Sequence, residues 1–235
     1  ALPEVLATIA PISDAVLLKG AATFLRAPEL EDLRPIGDID LLVDPSRVRA
    51  VLEALQAQGW RLQIGQLDAF TDDDFAAMHG LGIVRQPHEA VDVHWFPLRT
   101  IRSPWMSRHL LATSEPAPLA SGQAHVPALT EHVLIVLLHG SGAGGDGRID
   151  WALEAGALIE RYPEAIDLHQ ARALARRFDL ERELEESLEV VSSDVGVTIP
   201  KAGFVSGLRL RAQQAAEERL PNDVDRKSTR LNSSH

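Results

Sequence analysis

Residues 34–45 read RPIGDIDLLVDP and predict a buried strand that carries two acids. Side chains two residues apart along a strand point to the same face, so Asp38 and Asp40 share one face while their apolar neighbours point to the other. Two carboxylates held together in a partly buried site repel each other, and one takes up a proton unless a cation lies between them. Mg²⁺ is the natural cation, because it prefers oxygen ligands and binds through one or two carboxylates together with substrate phosphates. The stretch therefore predicts a metal site for phosphate chemistry.

A third acid, Asp92, lies in VDVHW at 91–95 and projects from one face of another predicted strand. Three acids from two strands can hold two metal ions roughly 3.5 to 4 Å apart, an arrangement that promotes phosphoryl transfer. His94 shares the face of Asp92 at i+2 and is a candidate for orienting substrate or supporting a metal ligand. Two readings without a metal stay open: the acids at 38 and 40 also fit a helix cap or a solvated edge strand, and Asp92 fits a solvated strand position.

The chain up to residue 112 mixes short apolar runs with helical patterns, which is typical of an α/β or α+β unit. The run DAVLLKG at 14–20 predicts a strand that ends at Gly20, with a helix after it. Residues 45–59 predict a helix that begins at Pro45 and ends at Gly59. The extended runs on both sides of residues 86–88 predict a hairpin within a mixed sheet.

The second half of the chain predicts an all-α subdomain at 128–224, with a capped helix that starts at Thr130. Residues 113–127 are rich in Pro, Ser, Gly and Ala and are expected to be a connector. Residues 225–235 are polar, basic and without periodicity, and are expected to be a disordered or non-native tail. The opening ALPEVLATIA lacks a basic region and an initiator methionine, so we expect no secretory signal and a trimmed or partial chain.

Composition narrows the class of protein further. The 235 residues are 45% hydrophobic, enough for a substantial core, and carry a formal net charge of -11, which argues against general nucleic-acid binding. The absence of cysteine excludes disulfides and fits a cytoplasmic location. No apolar run approaches the roughly 18 to 20 residues of a membrane span, so no membrane association is expected.

LLKGAATFL at 17–25, RPIGDIDLLV at 34–43 and VDVHW at 91–95 together resemble the nucleotidyltransferases of the DNA polymerase β superfamily. Within that superfamily, the chain is similar to the bacterial group of uncharacterised nucleotidyltransferase family proteins. The resemblance covers most of the chain. It implies a polymerase-β-like core with a mixed sheet, followed by an all-α subdomain that closes over the active site.

Carried onto this sequence, the resemblance implies that Asp38, Asp40 and Asp92 bind the metal ions and form the catalytic site. Asp92 would also help to deprotonate the acceptor. The implied reaction is Mg²⁺-dependent transfer of a nucleoside monophosphate from an NTP to an acceptor, with release of pyrophosphate and with two ions bound. The expected acceptor is a hydroxyl on a small molecule, on a protein side chain or on an RNA end.

The resemblance also implies a nucleotide-binding turn at Gly20, where the backbone approaches the phosphates. The superfamily usually has Gly-Ser or Gly-Gly at this turn, whereas this chain has Lys-Gly-Ala. The change removes a serine hydroxyl and leaves Lys19, Arg34 and the N–H groups of the helix start as candidate anion donors. A non-catalytic nucleotide-binding or interaction module and a metal-dependent phosphohydrolase are the alternative functions.

Two further motifs have competing interpretations. His79, His88 and His94 suggest a zinc hydrolase, but their spacing matches no compact ligand pattern. Residues 140–145 read GSGAGG and match the dinucleotide pattern G-x-G-x-x-G. Because a helix rather than a strand is predicted before these glycines, a loop between helices is the better interpretation.

Overall fold

The IDLLV segment forms the second strand of a five-stranded sheet in the computed structural model, which describes residues 2–33, 39–85, 89–120, 122–140 and 149–199. The strands of this sheet are β1 (Ala15–Leu17), β2 (Ile39–Val43), β3 (Arg61–Leu62), β4 (Gly80–Arg85) and β5 (Glu89–His94).

The sheet has the order β1-β2-β5-β4-β3 and is mixed, as the sequence predicts. β2 runs parallel to β5, and every other neighbouring pair is antiparallel. β4 and β5 form the predicted hairpin, although its turn at 86–88 lies outside the described residues. The parallel pairing matters most, because it brings the strand of Asp40 next to the strand of Asp92, about 50 residues later in the chain.

The helices are α1 (Leu2–Ile9), α2 (Lys19–Arg26), α3 (Val48–Ala57), α4 (Asp72–Ala77), α5 (Pro104–Ala112), α6 (Leu129–Gly140), α7 (Asp150–Arg161), α8 (Leu168–Arg177) and α9 (Glu181–Ser193). Short 3₁₀ segments occupy Pro28–Leu33 and Leu67–Ala69. The last four helices confirm the predicted helical character of the second half as far as residue 199. Within the described residues, no helix has both the length and the apolar character needed to cross a bilayer.

Three helix starts differ from the sequence predictions. α3 begins at Val48 because Pro45 and the next two residues form a turn. α6 begins at Leu129, and the hydroxyl of Thr130 accepts a hydrogen bond from the Asp167 N–H at 2.9 Å instead of capping its own helix. α2 begins at Lys19, so Gly20 lies inside its first turn rather than before it.

Residues 113–127, for which a connector is predicted, contain a two-stranded antiparallel hairpin of β6 (Glu115–Leu119) and β7 (Gly122–Val126). β6 reads EPAPL, and its two prolines explain why the sequence looks like a linker. Proline is tolerated in an edge strand, and β6 has a single partner strand. Ala117, Ala124 and Val126 are buried, so the hairpin contributes to the core.

The sheet separates two apolar clusters. Leu17, Leu41 and Val43 pack with α1 and α3 on one face. Val16, Leu18 and Leu42 point to the other face and pack with α6 to α9. Alternation along β1 and β2 therefore places Asp40, two residues before Leu42, on the face covered by the helical half of the chain.

Candidate active site

Register between β2 and β5 brings the central acids together. Asp40 pairs with Asp92 and Leu42 pairs with His94, so the two acids and the histidine lie on one face of adjacent parallel strands. Asp40 and His94 are buried, and Asp92 is half-buried. One potential ligand atom from each of the three side chains lies within 4.8 Å of the others. Within the described residues, this is the group with the geometry of a metal site.

Two donors converge on one oxygen of Asp40. The Lys19 ammonium donates to Asp40 Oδ1 at 2.6 Å, and His94 Nε2 lies 2.8 Å from the same oxygen. Burial favours the neutral acid, but the His94 hydrogen bond and the positive charge of Lys19 outweigh it, so the pKa of Asp40 lies well below its usual value. Asp40 is thus a buried carboxylate that stays ionised because cationic and polar neighbours surround it.

Lys19 has an unusual backbone for a residue with a side chain. Its φ is +48°, in the left-handed region that favours glycine. Leu18 precedes it in extended conformation and provides no side-chain cap for α2. The family resemblance implies a nucleotide-binding turn at Gly20, and the structure has the left-handed backbone one residue earlier, at Lys19. The conformation costs roughly 1 to 2 kcal/mol and places a buried ammonium directly on Asp40.

His94 has distinct roles for its two ring nitrogens. Because the ionised Asp40 can only accept, Nε2 carries the proton of their hydrogen bond. Nδ1 is buried and has no hydrogen-bond partner among the described residues. The His79 ring lies 5.2 Å from the His94 ring, and burial together with the nearby positive groups His94 and Lys19 lowers the pKa of His79 to about 4. His79 is therefore neutral at neutral pH and is not part of the Asp40 cluster.

These side chains fit a divalent cation. Two carboxylates from adjacent strands are the oxygen ligands that Mg²⁺ and Mn²⁺ prefer, and an adjacent imidazole that hydrogen-bonds a carboxylate orients it. The ammonium of Lys19 now occupies one side of the Asp40 oxygen. A cation that binds this oxygen must therefore compete with Lys19.

Comparison with known proteins identifies the family of the chain. Residues 13–193 match a protein family described as uncharacterised nucleotidyltransferase. The chain belongs to this family. The predicted family and the class of enzyme, a transferase, are thereby confirmed, together with the mixed α/β fold. No curated protein sequence matches the chain.

Two solved structures are similar to this member of the nucleotidyltransferase family. One is the crystal structure of ANT(2″)-Ia in complex with adenylyl-2″-tobramycin, at 12% identity and a TM-score of 0.49, covering 76% of this chain and 94% of that chain. The other is an antigenic nucleotidyltransferase-like protein from Paracoccidioides brasiliensis, at 16% identity and a TM-score of 0.37, covering 80% of this chain and 88% of that chain.

Several of the predicted site residues come together in this nucleotidyltransferase, and others lie outside the described residues. Asp40, Asp92, His94 and Lys19 form one cluster, and Gly20 directly follows Lys19. Candidates outside the described residues are Asp38, Arg34, His88 and all but the first residue of the GSGAGG motif. The sequence pattern also predicts a helix at 205–220 and a tail at 225–235, which lie outside as well.

The strand beside Asp92 carries glycines that sequence reasoning missed. Gly82 pairs with Asp92 and Gly80 pairs with His94, so β4 has no side chain opposite either residue. We call Gly80 and Gly82 the glycine floor. Gln63 extends beyond β3, its backbone N–H donates to Gly82 O at 2.9 Å, and its amide lies over Gly82. Two glycines at i and i+2 in a predicted strand are the sequence signal that could have indicated a strand face without side chains.

A buried polar cluster behind α2 was also missed. The Thr23 hydroxyl donates to Glu154 on α7 and lies 3.1 Å from His132 Nε2 on α6. His132 is fully buried; burial, reinforced by the charge of Arg26, lowers its pKa to about 3. Thr23 lies one turn after Lys19 in α2, so side chains from the helical half hold the helix that carries the site lysine. No local sequence pattern indicates contacts between such distant residues.

Proposed function

We propose that the protein is a Mg²⁺-dependent nucleotidyltransferase that transfers a nucleoside monophosphate from an NTP to an acceptor and releases pyrophosphate. The observation that carries the proposal is the convergence of Asp40, Asp92 and His94, with ligand atoms within 4.8 Å, in a member of a nucleotidyltransferase family. A buried, ionised Asp40 beside a second acid has little structural benefit in a sheet, because burial of charge is costly.

The proposed step displaces pyrophosphate at the α-phosphorus. An acceptor oxygen or nitrogen forms a bond to the α-phosphorus while the bond from that phosphorus to the bridging oxygen of the β-phosphate breaks. The acceptor proton passes to Asp92, which is half-buried beside Asp40. Bound Mg²⁺ supplies charge neutralisation on the phosphates. The protein contributes mainly by placing the reactants and by its fixed charges.

The proposed metal ligands are Asp40 and Asp92, with Asp38 as a further ligand and two ions in the complete site. His94 holds Asp40 through its Nε2 hydrogen bond and orients it toward the metal. With zinc, the imidazole itself would be a preferred ligand, whereas the carboxylate pair favours magnesium.

The triphosphate is proposed to bind at the start of α2. Lys19 contacts Asp40 directly, and a metal held by Asp40 and Asp92 would free its ammonium to donate to a phosphate oxygen. Backbone N–H groups near Gly20 and the side chain of Arg34 complete the anion site. The nucleotidyltransferase core at 1–112, the helical subdomain at 128–224 that closes over this site and a cytoplasmic location remain predictions.

The test is transfer of label from NTPs carrying ³²P at the α-phosphate. Each NTP is incubated with the protein, MgCl₂ and separate small-molecule, protein and RNA fractions of a cell extract. The expected result is label attached to one fraction, abolished by EDTA and reduced at least about a hundredfold by Asp40→Asn or Asp92→Asn. Asp73→Asn is the matched control, because Asp73 is an exposed acid on α4.

The same assay separates the alternative functions. A phosphohydrolase would produce labelled free nucleotide and no labelled acceptor. A non-catalytic module would bind NTP, measured by calorimetry, without either product. Transfer that survives Asp40→Asn at the wild-type rate would contradict the proposed site.

A further inference from the structure

The polar face of the sheet continues past the acids toward β3. Asp40, Asp92, Gly82 and Gln63 follow one another in register across β2, β5, β4 and the end of β3. Lys19 contacts Asp40 at one end of this row, and Gln63 lies at the other end. A substrate bound beside Asp92 and away from Lys19 therefore lies next to the Gln63 amide, which covers Gly82.

The position that a side chain at residue 82 would occupy is filled by polar groups of neighbouring residues. A Cβ at position 82 would lie 2.6 Å from Gln63 Oε1 and 2.9 Å from Asp92 Oδ1. The Gln63 amide and the Asp92 carboxylate thus approach the same point from two neighbouring strands. Any residue larger than glycine would push one of them away.

We propose that Gln63 is an acceptor-binding residue, and that Gln63, Asp92 and the glycine floor form the acceptor subsite. This inference rests on the proposed function, in which Asp92 takes the acceptor proton. A group that loses a proton to Asp92 must lie within hydrogen-bond distance of it, and from that position it also reaches the Gln63 amide.

The chemistry of the amide defines the class of acceptor. A primary amide both donates and accepts hydrogen bonds, so it can bind a hydroxyl or an amine next to the reacting group. Gln63 is exposed and uncharged, so a polar acceptor can reach it from solvent. The acceptor inferred here carries a hydrogen-bonding group beside the one that is modified.

The test measures how the enzyme divides NTP between acceptor and water. The extract fraction labelled in the transfer assay serves as acceptor, and labelled NMP from hydrolysis is measured in the same tube. For Gln63→Leu, which removes the amide at similar size, we expect the ratio of transfer to hydrolysis to fall about tenfold, as for a lost hydrogen bond. NTP affinity, measured by calorimetry with Mn²⁺, is expected to be unchanged.

Two further variants sharpen the result. Gln56→Leu removes an exposed glutamine from α3 and is expected to leave the ratio unchanged. Gly82→Ala is expected to lower the ratio even with Gln63 present, because its Cβ displaces the amide. Gln63→Glu keeps the shape and an accepting oxygen, and we expect it to restore part of the ratio lost in Gln63→Leu.

Each outcome has a defined meaning. An unchanged ratio in Gln63→Leu overturns the acceptor subsite and leaves the proposed function intact. A parallel loss of transfer, hydrolysis and NTP affinity also overturns it, because Gln63 would then support the fold or the nucleotide. A wild-type protein that binds Mn²⁺ and NTP but modifies nothing overturns the proposed function, and the inference with it.

Discussion

Replacing Lys19 with methionine is expected to change metal and nucleotide binding in opposite directions. In the structure the Lys19 ammonium lies 2.6 Å from Asp40 Oδ1, and the two side chains are only 10% and 7% exposed. Removing one partner of a buried ion pair costs about 3 to 5 kcal/mol, because the remaining charge is left uncompensated. His94 still donates to Asp40, so the lower end of that range applies.

A divalent cation recovers part of this free energy in the variant. In the wild-type protein the cation must displace the ammonium, whereas in Lys19→Met the carboxylate is already without it. If the bound cation recovers about half of the roughly 3 kcal/mol lost with the ion pair, the affinity for Mn²⁺ without nucleotide rises at least about tenfold, which corresponds to roughly 1.4 kcal/mol. NTP affinity in the presence of metal falls about ten- to a hundredfold, because a charge-assisted hydrogen bond to phosphate is lost.

The assays are titration of Mn²⁺ by electron paramagnetic resonance and calorimetric titration of NTP. Arg61→Met is the control, since it removes an exposed positive charge from the same sheet. A Lys19→Met protein that is folded and binds Mn²⁺ with wild-type affinity would refute the competition between ammonium and metal. A loss of both affinities would show that Lys19 acts through the fold of α2.

Three other predictions concern stability. Below pH 6.5 His132 is protonated in the unfolded chain, whereas in the folded protein its pKa is about 3, so the free energy of unfolding decreases by up to about 1.4 kcal/mol for each pH unit. Urea unfolding of His132→Gln between about pH 6.5 and 3 should show a smaller decrease with pH. An equal decrease in the variant and the wild type would contradict this prediction. Gly140→Ala places a Cβ inside van der Waals contact with the Trp151 ring and should lower the free energy of unfolding by about 1 to 3 kcal/mol, whereas an unchanged melting temperature would show that the ring moves freely. Leu184→Ala should lower the free energy of unfolding by about 2 to 5 kcal/mol. Leu180→Ala, at a partly buried position of the same face, should lower it clearly less, and equal losses would contradict the assigned core.

The sequence predicted the strands of the site because their pattern is local. Alternation in IDLLV and VDVHW assigns the acids to one face, and the structure places Asp40 and Asp92 in direct register. Alternation cannot show which strands are neighbours, so the pairing of β2 with β5 was available only through family resemblance. The Gln63 contact was missed because β3 has two residues and gives almost no pattern. The left-handed Lys19 was missed because its buried ion pair, rather than local preference, stabilises that backbone.

Contacts across the chain explain why the helical half matters for a site made of strand residues. The division at residues 113–127 follows composition, but the apolar cluster of the helical half includes Leu18 and Leu42, which flank Lys19 and Asp40. Thr23, one turn after Lys19, is held by His132 from the same half. The ammonium can compete with a metal for Asp40 only if α2 is fixed, since a mobile helix would let the lysine reach solvent. The helices therefore set the strength of the Lys19–Asp40 contact, and through it the affinity expected for a cation at the proposed metal site.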